Sequence, residues 1–308
     1  VALSCSTLFV NGRDRASCLL FSSVRSCSKH CHLPGSRGLA QVSSASGPPE
    51  GPALYSSHAP TTPLQRLTVA GYAALSALRD SKRADMVAAL GEVTGRMALE
   101  RLHRTMLLDP EGLQVLRARP VINEATLDLP GLAALPKGSL GRSYSDFMGK
   151  YGFSPDSRSQ VRFVDDPDLA YVMQRYREVH DLWHVLSGLP PTVEAELALK
   201  WFELVQTGLP VCALSAVFGP LALPRHEPRE NSGVMKHWGK DSKDESKSRH
   251  GSREVLNGTY LPWALRTGRR ARSLICVWYE RRWEMTVDEV RRELRVDPAP
   301  ERPSCARG

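Results

Sequence analysis

Residues 165–210 read DDPDLAYVMQRYREVHDLWHVLSGLPPTVEAELALKWFELVQTGLP, and this stretch decides the fold. Asp165-Asp166-Pro167 has the form of a helix start. An Asp side chain can accept from the free N–H groups of the first turn, and Pro at the first helical position lacks an N–H that would go unpaired anyway. From there Leu169, Val172, Met173, Tyr176, Val179, Leu182 and Trp183 recur at helical spacing to about Ser187. Gly188-Leu189-Pro190-Pro191 stops the run. Thr192 is placed to cap a second helix through Thr207, folded back antiparallel on the first.

Working outward, every other segment reads as helix or connection. Pro63 after Thr62 opens a helix through about Arg79, with Leu64, Leu67, Leu75 and Leu78 in phase. Residues 83–108 continue as one or two helices weakened at Gly91 and Gly95, and Asp109-Pro110 starts another to Arg117. Residues 119–139 hold three prolines and read as an extended or looped connection, followed by a helix over 141–150. Residues 209–224 suggest a third apolar helix, and the chain closes with helices over 262–268 and 281–295. No alternating strand pairs and no internal repeat are present, so the fold class is all-α. The expected organisation is a transit peptide over 1–46, a linker over 47–62, one helical domain over 63–297 with a disordered insertion at 225–254, and a tail over 298–308.

His180 and His184 are four residues apart, so on a helix they leave one face a turn apart. Asp181 is one step round and can reach the same point, and Glu196 stands about one turn into the next helix. Together His180, Asp181, His184 and Glu196 form a set of nitrogen and oxygen donors suited to zinc, iron or manganese. Arg175, Arg177 and Glu178 precede the site and Glu203 follows Glu196 by two turns; each taken singly reads as half of a surface ion pair. A His-Asp phosphohydrolase would need a further upstream histidine nearer than His103, and a downstream aspartate, so that class is disfavoured.

The formal charge of +8 does not point to nucleic acid. Residues 1–49 hold +4 of it and residues 225–254 hold +2, which leaves +2 elsewhere; the Arg-rich stretch 266–282 is the one candidate basic face, and a solvated face or an anionic lipid surface explains it as well. Four of the seven cysteines precede residue 32, leaving Cys212, Cys276 and Cys305, too few and too scattered for a disulfide framework. The first 45 or so residues are Ser-rich and basic, with Asp14 their one acid, the composition of a mitochondrial transit peptide. No uninterrupted run of about 20 apolar residues exists, so no transmembrane helix is expected. The apolar runs 69–78 and 209–224 read first as core, with contact to lipid as the sharper alternative.

At these residues the chain resembles a known family. The segments LYSSHAPTTPLQ (54–65), DMVAALGEVTG (85–95), LDPEGLQVL (108–116), LPKGSLGRSY (135–144), RFVDDPDLAYVMQRYREVHDLWH (162–184), KWFELVQTGLP (200–210) and YERRWE (279–284) are similar to the fourth protein of mitochondrial coenzyme Q (ubiquinone) biosynthesis, the 4-hydroxy-3-methoxy-5-polyprenylbenzoate decarboxylases. Residues 225–254 have no counterpart in that pattern. The resemblance implies an all-α fold and Zn2+ held by His180, Asp181, His184 and Glu196. It implies a carboxy-lyase that removes the C1 carboxylate of the polyprenylated benzoate, with an oxidative form of the reaction also compatible. It further implies a peripheral position on the matrix side of the inner mitochondrial membrane and a scaffold role among the other coenzyme Q biosynthesis enzymes, with a homodimer compatible. The competing reading is a non-catalytic, lipid-binding assembly protein whose metal staples two helices. A catalytic zinc keeps an open position, whereas four protein ligands close it.

Overall fold

The computed structural model describes residues 53–79, 83–222 and 252–302. Residues 1–52, 80–82, 223–251 and 303–308 lie outside the described residues, and with them the expected transit peptide, the first part of the linker, most of the expected insertion and the end of the tail. Among those described no strand forms; a single antiparallel bridge joins Ser139 to Thr286. The helices are α1 (Pro63–Arg79), α2 (Ala84–Thr94), α3 (Arg96–Leu108), α4 (Pro110–Ala118), α5 (Leu129–Ala134), α6 (Leu140–Tyr151), α7 (Pro167–Ser187), α8 (Val193–Thr207), α9 (Pro210–Phe218), α10 (Ser252–Val255), α11 (Leu261–Arg270) and α12 (Val287–Leu294). One π-helical stretch, Leu256–Tyr260, runs from α10 into α11.

α7 is the axis of the molecule. It is buried on nearly every side, the mark of a central helix rather than an amphipathic surface one. α3, α6 and α12 pack around it, and α8 returns antiparallel, with Tyr176 and His180 meeting Glu203 while His184 meets Glu196. The ends obey local chemistry. Asp166 accepts from Asp168 N and Leu169 N, and Gly188 takes φ 75° as its amide closes on His184 O. Trp183, Phe202 and Trp263 form a fully buried aromatic stack from α7 through α8 to α11.

Most expected elements stand where the pattern placed them. Thr62 and Gln65 cap α1 reciprocally, and Asp109 caps α4 through Glu111 N and Gly112 N. Four expectations need correction. Residues 119–139 are not all connection, because Asp128 caps the short helix α5. The insertion ends before 254, since Ser252–Glu254 already belong to α10. The last helix starts at Val287 rather than Arg281, because the reciprocal Thr286–Glu289 cap sets its origin. The run 69–78, read first as core, is core only in part: Tyr72 is 62% and Leu75 48% exposed, while Ala73 and Ala77 are buried. Small residues let α1 lie close on α2, which turns its larger side chains outward.

The stretch read as a linker is tied down at its end. Tyr55 OH donates to Val164 O, Ser57 Oγ to Val161 O and Ala59 N to Arg162 O. The start of the tail is tied as well, through Ala299 N to Ser187 O and an Arg302–Glu194 ion pair.

Candidate metal centre

α7 delivers His180 and His184 to one face, with ring centroids 4.9 Å apart and each residue 1% exposed. The Gly188 turn brings α8 back so that Glu196, also buried, closes the third side. One donor atom from each of His180, His184 and Glu196 lies within 4.8 Å of the others. His184 Nε2 stands 3.2 Å from Glu196 Oε1, and His180 Nε2 stands 3.7 Å from Glu196 Oε2. Donors about 2.0–2.1 Å from a tetrahedrally bound zinc are separated by about 3.3 Å, so these spacings match such an ion.

The other ring nitrogens are committed. His184 Nδ1 donates to Leu189 O at 3.0 Å, a carbonyl presented by the same turn that reverses the chain. His180 Nδ1 donates to Glu203 Oε1. Both acceptors engage Nδ1 and turn Nε2 toward Glu196, where a metal ion could replace the proton that Glu196 favours on His184. Both Nε2 atoms are buried and have no hydrogen-bond partner. Two buried imidazole nitrogens a few ångströms from a carboxylate are what a divalent cation satisfies, so these residues fit the metal.

Glu203 is the hub behind the centre. Its Oε2 accepts from Tyr176 OH at 2.6 Å, Lys200 Nζ at 2.6 Å and Cys212 Sγ at 3.4 Å. Burial, the largest influence, works against its charge; Lys200 and His180 overcome it and hold the carboxyl far below the usual carboxylate range. Glu196 follows the same balance, burial opposed by His184, His180 and Lys200, and lies at about 2. Burial, with Lys200, lowers His180, whereas Glu196 raises His184 despite burial.

Asp181 does not join the three. Successive helical residues are turned about 100° from each other, and the Asp181 Oδ1 atom accepts from Arg158 Nη2 at 2.5 Å. Phe147 of α6 stacks on the His184 ring at 5.4 Å. The neighbours expected as surface ion pairs are buried instead. Arg175 is 0% exposed and binds Glu280 through two nitrogens. Arg177 pairs with Glu92, and Glu178 accepts from Ile122 N. Tyr176 and Glu203 were open to periodicity, four residues before His180 and seven after Glu196; Arg158, in an irregular loop, carried no such signal.

The family model for coenzyme Q (ubiquinone) biosynthesis protein Coq4 matches residues 55–248 and 244–300. The mitochondrial ubiquinone biosynthesis protein COQ4 homolog of Rattus norvegicus is 46% identical over 247 residues, covering 80% of this chain and 84% of the relative. The Homo sapiens homolog is 44% identical over 276 residues, covering 88% and 93%. A crystal structure of a ubiquinone biosynthesis protein from Nostoc punctiforme superposes with a TM-score of 0.53 at 19% identity, covering 74% of this chain and 95% of that one. That likeness concerns the fold alone.

Proposed function

Because this chain belongs to the family of coenzyme Q (ubiquinone) biosynthesis protein Coq4, we propose that its buried triad is a metal-dependent carboxy-lyase centre acting on a polyprenylated 4-hydroxy-3-methoxybenzoate. The observation that carries this reading is the pair of fully buried His180 and His184 Nε2 atoms without partners, next to the Glu196 carboxylate. A fourth-ligand role for Asp181 remains part of the proposal, and it would require release from Arg158. In the arrangement seen, with Asp181 on Arg158, three converging donors leave a position for substrate, which favours catalysis; Asp181 bound as fourth ligand would favour the non-catalytic assembly reading instead.

When bound, a divalent ion, Zn2+ by preference, supplies Lewis acidity toward a carboxylate or phenolate oxygen. The chain's own residues do the rest. Leu189 O and Glu203 hold the two imidazoles in the tautomer that presents Nε2. Tyr176, Lys200 and Cys212 keep Glu203 in place. Burial of the whole cluster excludes water and strengthens each electrostatic contact. In the reaction the bond between ring and carboxylate breaks, CO2 departs, and its electron pair returns to the ring carbon, which takes a proton.

The relatives' names place them in mitochondria, and we carry that location to this chain, with residues 1–46 as the transit peptide and a peripheral site on the matrix face of the inner membrane. Among the described residues no helix is long and apolar enough to cross a membrane. The exposed Leu64, Leu67, Tyr72 and Leu75 of α1, with Val217 and Phe218 of α9, offer apolar surface for a lipid tail or membrane. A complex with other coenzyme Q biosynthesis enzymes, and a homodimer, complete the proposal.

Metal analysis combined with turnover of a short-tailed substrate by purified protein tests the reading. Wild type should hold metal and release CO2, and Glu196→Ala should lose both. Equal turnover by a metal-free Glu196→Ala protein would overturn the catalytic reading.

A further inference from the structure

A second buried polar group lies on α6, the helix that stacks Phe147 on His184. Tyr144 of α6 is 0% exposed, and its hydroxyl has no hydrogen-bond partner. Leaving a buried hydroxyl unsatisfied costs about 1–3 kcal/mol. The packing does not require it: the ring rests on Trp283 at a centroid distance of 5.7 Å, and a phenylalanine would fill the same space. The charged groups acting on the hydroxyl are Asp181, Arg158 and Glu178. Asp181 follows the ligand His180 directly, and it is the residue that Arg158 holds. Three residues along the same face of α6, Phe147 lies flat on the ligand His184. α6, which packs on α7, therefore carries Tyr144 one turn from the ring that covers His184.

We propose that the Tyr144 hydroxyl is a substrate-binding group, donating a hydrogen bond to an anionic oxygen of the aromatic acid, with Arg158 adding positive charge to the same subsite. This role rests on the reading that a hydroxylated benzoate binds at the triad. Burial raises the Tyr144 phenol above its ordinary value, so the group is a neutral donor at physiological pH. Arg158, only 11% exposed in its side chain, is paired with Asp181, so the charge it adds is that part which the Asp181 carboxylate leaves unbalanced at the oxygen.

The test is Tyr144→Phe in the full chain, read in three ways: metal content, thermal midpoint, and calorimetric affinity for 4-hydroxy-3-methoxybenzoate bearing one short prenyl chain. The expected result is unchanged metal, a midpoint unchanged or raised, and affinity lower by roughly 10- to 100-fold, the loss of one hydrogen bond to a charged oxygen. The same compound without its 4-hydroxyl should lose less affinity if the phenolate is the partner and as much if the carboxylate is. Unchanged affinity overturns the role whichever way the midpoint moves; a lowered midpoint beside it would assign the hydroxyl to a buried water. Wild-type protein that neither binds nor turns over the compound removes the functional reading and this role together, whereas wild-type activity with an unaffected Phe variant removes this role alone.

Discussion

Two buried ionic networks hang from the same helix and end differently. On one side Arg175 and Arg177 reach carboxylates: Arg175 binds Glu280 and Val277 O, leaving only its Nε unpaired, and Arg177 binds Glu92, Ala88 O and Ser159 O. Toward α8, Glu203 gathers Tyr176, Lys200, Cys212 and His180, and beyond it the Nε2 atoms of His180 and His184 meet no hydrogen-bond partner. Both networks are largely buried, so burial alone marks neither as functional. The difference lies in completion. A network that closes on protein atoms positions the helix; one that stops at two buried imidazole nitrogens beside a carboxylate is, on the function proposed above, where a metal ion from outside the chain would bind.

The largest effect should follow from removing a ligand. His184→Ala should lose the bound metal and bring decarboxylation to background, measured by elemental analysis and CO2 release. Metal retained at the wild-type level would mean that the α8 network is as self-contained as the arginine one. Glu203→Gln should act next most strongly on the metal, lowering its affinity roughly 10- to 100-fold while the three donors remain, because the carboxylate no longer orients the His180 ring. Competition with a calibrated chelator gives the number.

In the closed network the same logic predicts stability loss with metal intact. Arg175→Met leaves Glu280 facing a buried gap and should destabilise by roughly 3–5 kcal/mol in denaturant unfolding. Adding Glu280→Leu should recover much of that loss, since a well-packed apolar pair often replaces a buried ion pair at little cost. Metal lost from both variants would break the separation between the two networks.

How much of this was open to the sequence follows from distance along the chain. Asp166, Pro167 and Gly188 announced the ends of α7, and the i, i+4 spacing put His180 and His184 together, because these signals act within one or two turns. The fold class and the place of Glu196 followed from the helix break between them. The partners that decide what each charge does come from far away: Arg175 meets Glu280 across 105 residues, Arg177 meets Glu92 across 85, and Arg158 holds Asp181 across 23. Periodicity carries no information at those separations, so buried pairs looked like surface ones and the Arg158 partner of Asp181 stayed hidden. The apolar run 69–78 of α1, where Tyr72 and Leu75 are exposed, misled for another reason. A helix can bury its small face where close approach to a neighbour favours alanine.

The smallest effect concerns the turn that presents Glu280. Glu111 holds that turn from α4, accepting from Trp278 N at 2.8 Å and from Arg282. Burial, the largest influence, pushes the Glu111 carboxyl up, but Arg282, the Trp278 amide and Arg272 outweigh it and leave it below its ordinary value of 4.5. A carboxyl depressed in the folded state binds fewer protons there than in the unfolded chain, so its stabilisation is complete above about pH 4.5 and is lost as pH falls through the folded value. The thermal midpoint should therefore decline on acidification below about pH 4.5, and Glu111→Gln should flatten that decline, with a lower midpoint at neutral pH. Because Glu111 is half-buried and screened, the shift should be modest. Metal bound at pH 7 should be the same in both proteins, since this carboxylate supports the closed network and not the triad. A parallel loss of metal in Glu111→Gln would show instead that the two networks of α7 are mechanically one.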